Sequence, residues 1–283
     1  PPPPPPPPPR LDSSAASDVY KRQPRDAIVR LRLNRPDKMN AITWEMVEEL
    51  GTVFDELNAD SSCRVIVLTG AGRGFCAGLD LADGLKGPNI AEGVGGARGS
   101  LIGQNFIASL MPKMRRIQQP IIAAVNGVAY GGGLGLALAS DLRIASRSAR
   151  FCTQFINLGL SGCDVGVSWF LPRLIGASRA HNLIMTGRAI EATEAERYGI
   201  VTDLYDDEEL EEKSLELAET LCDKSPSALY LTKEVMWANI DVPSLESAIH
   251  LENRNQVLAA SSGEMAEAGQ AFFEKRKPNW SKN

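Results

Sequence analysis

The chain has 283 residues, 43% hydrophobic and 23% charged, a balance that suits one large globular core with an appendage. A net charge of −5 and a pI near 5.3 exclude a nucleic-acid partner held on a basic surface, because the Lys21-Arg22 and Lys275-Arg276-Lys277 runs are short. Five scattered cysteines form no C-x-x-C pair and no apolar run reaches bilayer length, so free thiols in a reducing compartment, no metal and no membrane partner are expected.

Residues 1–25 begin with nine prolines and continue in a polar segment, and are expected to be a disordered or non-native tail. Ala27–Leu33 reads as a strand, followed by a turn at Asn34-Arg35-Pro36-Asp37. Thr43 is a candidate N-cap for a helix to about Asn58, since Trp44, Val47, Leu50, Phe54 and Leu57 recur at helical spacing. Arg64–Thr69 is a buried strand that runs into a first glycine-rich turn, Gly70 to Asp80. Residues 83–99 are glycine-rich and patternless and read as a mobile loop, before a helix over about Leu101–Gln118.

The strand Pro120–Val125 leads to a second turn, Asn126 to Gly133, with three consecutive glycines and then a short apolar helix. Further elements are a strand at Leu142–Ala145, an irregular segment over Phe151–Leu160 and a helix from Val165 to Ile175. Short helices ending at Gly187 and Gly199 follow. Beyond Asp206, four helices follow with no strand between them, at roughly 207–223, 226–240, 243–261 and 263–276. The division is therefore an α/β core over 26–204 and a helical region over 205–283.

No G-x-G-x-x-G follows a strand, and neither a phosphate-binding G-x-x-x-x-G-K-[ST] nor a G-x-S-x-G elbow occurs. The only two histidines, His181 and His250, sit apart on helices, where structural or surface roles suit them. Two glycine turns, each reached from a strand, remain as the chemical feature. Converging backbone N–H groups there can hold an acyl oxygen as it gains negative charge, each contributing roughly 3–4 kcal/mol in a water-poor site.

Asn34-Arg35-Pro36, Asn40-Ala41, Gly74-Phe75-Cys76-Ala77-Gly78-Leu79-Asp80-Leu81, Asn126-Gly127 with Gly131-Gly132-Gly133, Ser140-Asp141 and Leu171-Pro172-Arg173 together resemble the crotonase (enoyl-CoA hydratase/isomerase) superfamily. The resemblance runs from about residue 27 to the end of the chain. It implies a crotonase-like spiral of ββα repeats, a C-terminal helical trimerisation region, and homotrimers or dimers of trimers. It also implies an acyl-CoA thioester substrate, with coenzyme A part of that substrate and no separate cofactor. By the same matching the oxyanion hole falls on the N–H groups of Leu79 and Gly132. The Cys76-Ala77 backbone would meet the adenine, Arg35 and Lys38 the CoA phosphates, and Phe272 and Lys275 the CoA site of a neighbouring subunit. An ordinary amphipathic helix end is the other reading for the last two. A cytoplasmic setting is expected, with mitochondrial or peroxisomal targeting left open.

The chain departs from the family's hydratases at both glutamates that handle water: Gly135 stands in the first place and Gln154-Phe155 in the second. Neither glycine nor phenylalanine can move a proton. Asp164, in Gly162-Cys163-Asp164-Val165-Gly166, resembles the aspartate of dienoyl-CoA isomerases. As a lone carboxylate raised by desolvation it could carry a proton between carbons of an enolate; as a helix cap it would only bind N–H groups. Double-bond isomerisation through Asp164 is thus the leading expectation. Hydration with a rearranged base, decarboxylation, thioester hydrolysis and non-catalytic acyl-CoA binding stay as alternatives.

Overall fold

The computed structural model describes residues 20–25, as backbone, and residues 27–280. Residues 1–19 of the expected tail lie outside the described residues. Residues 20–25 correct the rest of that expectation: Tyr20–Arg25 is a strand, β1, paired antiparallel with β2 (Ile28–Leu33). It is an edge strand, which needs backbone pairing rather than an apolar sequence and tolerates Pro24.

The Asn34–Asp37 turn is carried by a 3-10 turn at Pro36–Lys38. In α1 (Trp44–Ala59) the Thr43 hydroxyl caps the helix by accepting from Met46 N at 3.1 Å. Then β3 (Val65–Gly70) and β4 (Gly74–Cys76) precede the short α2 (Leu81–Gly84), with α3 (Gly96–Ala108) and α4 (Leu110–Arg116) beyond it. Next come β5 (Ile121–Val125), β6 (Val128–Tyr130) and α5 (Gly132–Ala139), then β7 (Leu142–Ser146), β8 (Arg150–Cys152) and α6 (Val167–Ile175). Helix α7 (Ala177–Thr186), β9 (Ile190–Glu191), α8 (Ala192–Tyr198) and β10 (Leu204–Tyr205) close the α/β part. The tail is α9 (Leu210–Cys222), α10 (Pro226–Asn239), α11 (Leu245–Ser261) and α12 (Glu264–Glu274).

The strands fall into two sheets, ordered β1-β2-β3-β5-β7-β10 and β4-β6-β8-β9. Successive strands β3–β4, β5–β6 and β7–β8 step from the first sheet to the second before each helix, so the chain advances as a spiral of ββα repeats. All pairings are parallel except β1 with β2 and β8 with β9. Strict alternation sorts the large sheet's faces. Leu31, Ile66, Leu68, Ile121 and Ala123 face the main core, while Ile28, Val65, Val67 and Ile122 face Leu210 and Ala218 of α9. Helix α9 therefore covers the sheet, and the expected boundary at 204/205 falls within one packing unit.

Two local expectations are corrected. The glycine triplet is reached from β6 rather than directly from β5; three residues, Val128–Tyr130, are too few to show a period in the sequence. The segment 83–99 is not a patternless loop, because α3 already begins at Gly96. Gly99 serves close packing, since its Cβ would lie 2.1 Å from Val94 O, as does Gly103 just beyond the segment, 3.1 Å from Pro88 Cδ, whereas Gly87, Gly93, Gly95 and Gly96 face open space.

Candidate active site

The two glycine turns meet. A Cβ on Gly78, at φ 96°, would stand 2.9 Å from Tyr130 O and 3.4 Å from Gly132 N. One on Gly133 would stand 2.1 Å from Cys76 O. Only glycine permits this approach, and Gly131 at φ 50°, ψ −117° takes a backbone shape that a side chain disfavours. Leu79 N and Gly132 N donate to no backbone carbonyl among the described residues, whereas their neighbours do: Ala77 N to Met39 O, Asp80 N to Ile42 O and Gly131 N to Cys152 O. Gly132 is also the first residue of α5, where N–H groups lie beyond the helix's own carbonyls and the helix dipole favours negative charge.

Asparagines and an ion pair hold the turns. Asn40 is fully buried; its Oδ1 accepts from Arg35 N at 2.9 Å and its Nδ2 donates to Gly74 O at 2.7 Å. Asn126 Nδ2 donates to Gly70 O and Gly72 O. Arg35 Nη2 pairs with Asp80 Oδ2 at 3.1 Å, and its Nη1 donates to Ala41 O, so the guanidinium is committed to the turn that carries Leu79. Burial pushes the Asp80 carboxyl up, but Arg35 and the Ala82 and Asp83 N–H groups outweigh it and hold it below the usual carboxylate range. Lys38 lies exposed beside this turn.

Apolar side chains enclose the N-terminus of α5. A Cβ on Gly132 would lie 3.3 Å from Ile42 Cδ1 and 3.8 Å from Ile107 Cδ1; one on Gly131, 3.5 Å from Phe155 Cε1. One on Gly135 would lie 2.8 Å from Val165 Cγ2 and 3.0 Å from Met111 Cε. Gly135 is three residues past Gly132, so Asp164-Val165 sits within about one helical turn of the Gly132 amide. The places of the two family glutamates are thus filled by Val165 pressed on Gly135 and by the buried Phe155 ring beside Gly131.

Asp164 is half-buried. Its Oδ1 accepts from Val165 N at 2.6 Å and from Gln104 Nε2. Burial raises the carboxyl above its usual range, against the lowering effect of these two donors. The cap reading of Asp164 fails in detail: α6 starts at Val167 with Gly166 as N-cap, and the carboxylate reaches none of the helix's free N–H groups. Val165 itself has φ 39°, costly for a β-branched residue. Of five non-glycine residues with positive φ among the described residues, Met39, Asn40, Gln154 and Val165 all flank this site, which is where strain gathers when a fold holds functional groups in place.

Of the remaining expected residues, Cys76 and Ala77 lie at the glycine turns, while Phe272 and Lys275 lie on the C-terminal helix. Cys76 is buried, and burial pushes its thiol up to about 12; Ala77 follows it with its N–H bonded to Met39 O. Phe272 and Lys275 lie at the exposed end of α12, which packs against α11. Among the described residues no His, Cys, Asp and Glu cluster could hold a metal, and no helix is long and apolar enough to cross a membrane. The sequence reading missed Gln104, whose signal was a polar residue in line with Ile107 and Met111 at helical spacing. An apolar cavity of about 420 Å³ lies away from the glycine turns, between α6 and α10 near Asp141.

A ββα spiral carrying two free amides at abutting glycine turns defines a crotonase-type protein. Residues 23–283 match the enoyl-CoA hydratase/isomerase family, and the chain belongs to it. It is 39% identical over 266 residues to the Probable enoyl-CoA hydratase EchA12 of Mycobacterium tuberculosis, spanning 94% of this chain and 93% of that one. It is 36% identical to the 1,2-epoxyphenylacetyl-CoA isomerase of Escherichia coli, over 89% of this chain and 94% of that one. The crystal structure of a probable enoyl-CoA hydratase/isomerase from Mycobacterium abscessus superposes with a TM-score of 0.87 at 36% identity, covering 93% and 98% of the two chains.

Proposed function

We propose that the protein isomerises the double bond of an acyl-CoA thioester, with Asp164 carrying the proton. The observation that carries this reading is one half-buried carboxylate with a raised pKa, next in sequence to the Val165 that packs on Gly135 three residues past the Gly132 amide, at a place where both hydratase glutamates are absent. In a 3-enoyl thioester, ionised Asp164 takes a proton from the carbon next to the thioester. The C–H electron pair moves into the carbonyl, and the enolate oxygen receives bonds from Leu79 N–H and Gly132 N–H. The pair then returns through the former double bond, Asp164 gives its proton to the far carbon, and the conjugated 2-enoyl thioester results with no net gain or loss of atoms. Ile42, Ile107, Met111 and Phe155 keep water from the enolate. The name of the Escherichia coli relative, 1,2-epoxyphenylacetyl-CoA isomerase, supports isomerisation of a CoA thioester, there of an epoxide rather than a double bond.

The test is Asp164→Asn assayed on 3-enoyl- and 2-enoyl-CoA, with acyl-CoA affinity measured separately. Turnover of the 3-enoyl ester should fall about 10²- to 10⁴-fold with affinity retained. Full turnover in the variant defeats the reading, and binding without turnover in both proteins favours a non-catalytic binder.

A further inference from the structure

Resting on that isomerase reading, we propose that Gln104 is a positioning residue for Asp164: its amide and the Val165 N–H together hold Oδ1, leaving Oδ2 as the oxygen that takes and returns the proton. Gln104 Nε2 and Val165 N both donate to Oδ1. No hydrogen bond to Oδ2 and no ion pair of Asp164 occurs among the described residues. Two donors on one oxygen limit rotation of the carboxylate and leave the lone pairs of the other oxygen free to take a proton.

The fold explains why this glutamine is there. Gln104, Ile107 and Met111 recur at helical spacing along α3 and α4, and Ser109 N, bonded to Asn105 O and Phe106 O, keeps the backbone helical between them. Ile107 packs over the Cα of Gly132 and Met111 over that of Gly135, so this stripe runs along the start of α5 from the glycine turn toward Val165. Gly103 seats α3 against Pro88 and Trp44, and the Trp44 ring stacks on Phe106 at 6.5 Å. The helix is thereby anchored on both sides of Gln104. Burial raises the Asp164 carboxyl, the Val165 N–H and the Gln104 amide lower it, and Gln104 is the one side chain among these influences.

The test is Gln104→Leu, which keeps the bulk and removes the donor. Gln104 is exposed, so the variant should fold. On 3-enoyl-CoA, kcat should fall about 10-fold with KM within about 2-fold, as expected for loss of one hydrogen bond to a charged group. The acidic limb of the kcat pH profile should move up by about one unit, because a donor to the ionised form is gone. Direct titration of the Asp164 carboxyl carbon by NMR should show the same upward move without substrate. In an Asp164→Asn background, Gln104→Leu should cost nothing further. An unchanged limb and carboxyl titration, or an equal loss in both backgrounds, overturns the positioning role while leaving the isomerase reading intact. Full turnover of Asp164→Asn alone overturns that reading, and the positioning role with it.

Discussion

Gly133→Ala tests the meeting of the two turns. Its Cβ would lie 2.1 Å from Cys76 O and 2.7 Å from Cys76 Cβ, both backbone-anchored atoms that cannot swing away. Ordinary contact requires the α5 N-terminus and the β4 turn to part by about 1 Å. A displacement of that size at a reacting centre is worth about 10²-fold, so kcat/KM on an acyl-CoA should fall by about that factor, with a stability loss of about 1–3 kcal/mol from overpacking. Gly176→Ala is the control. Gly176 also has positive φ, at 78°, but its Cβ meets no atom within 4 Å. It should lose about 1–2 kcal/mol in urea unfolding and keep kcat/KM unchanged. A Gly133→Ala protein with wild-type kcat/KM would refute the geometry.

Gly135→Glu, which restores the family's first glutamate, should gain no hydration of 2-enoyl-CoA and should lose about 1–3 kcal/mol, because Val165 and Met111 occupy the space; appearance of hydratase activity would contradict this. Lys233→Met should cost about 3–5 kcal/mol in chemical unfolding, since it leaves Asp141 without the buried ammonium 2.8 Å away that clamps α10 to the core; a change below about 1 kcal/mol would count against the clamp. The Asp164 carboxyl is raised in the folded state, so its contribution to stability is full below the unfolded carboxyl range and is lost as pH rises through the raised value. Melting of Asp164→Asn should therefore gain on wild type as the pH goes from acid to neutral, and parallel curves would argue against a desolvated acid.

Much of the fold was legible because burial writes itself into local pattern. The parallel strands β3 and β5 are buried on both faces and read as unbroken apolar runs, and Thr43 announces α1 by the hydroxyl that caps it. What escaped were elements defined by partners distant in sequence. Strands β4 and β6 have three residues each and exist because they pair with one another. Helix α3 hides behind Gly96, Gly99 and Gly103, which look flexible in sequence, although Gly99 and Gly103 serve close packing and Gly96 starts the helix at positive φ. The two glycine turns were visible as glycine spacing, whereas the pairing of Gln104 with Asp164 joins residues 60 apart and depends on how α3 docks. Arg35 shows the converse: its motif was legible, but its guanidinium is engaged by Asp80 within the turn.

The proposed reaction requires the thioester oxygen to accept hydrogen bonds from Leu79 N–H and Gly132 N–H. Isotope-edited infrared spectroscopy of a ¹³C=O-labelled 2-enoyl-CoA reads that directly. The carbonyl stretch should move to lower wavenumber on binding to the wild-type protein and return toward its aqueous value in Gly133→Ala. An identical frequency in water and in the wild-type complex would contradict the central claim.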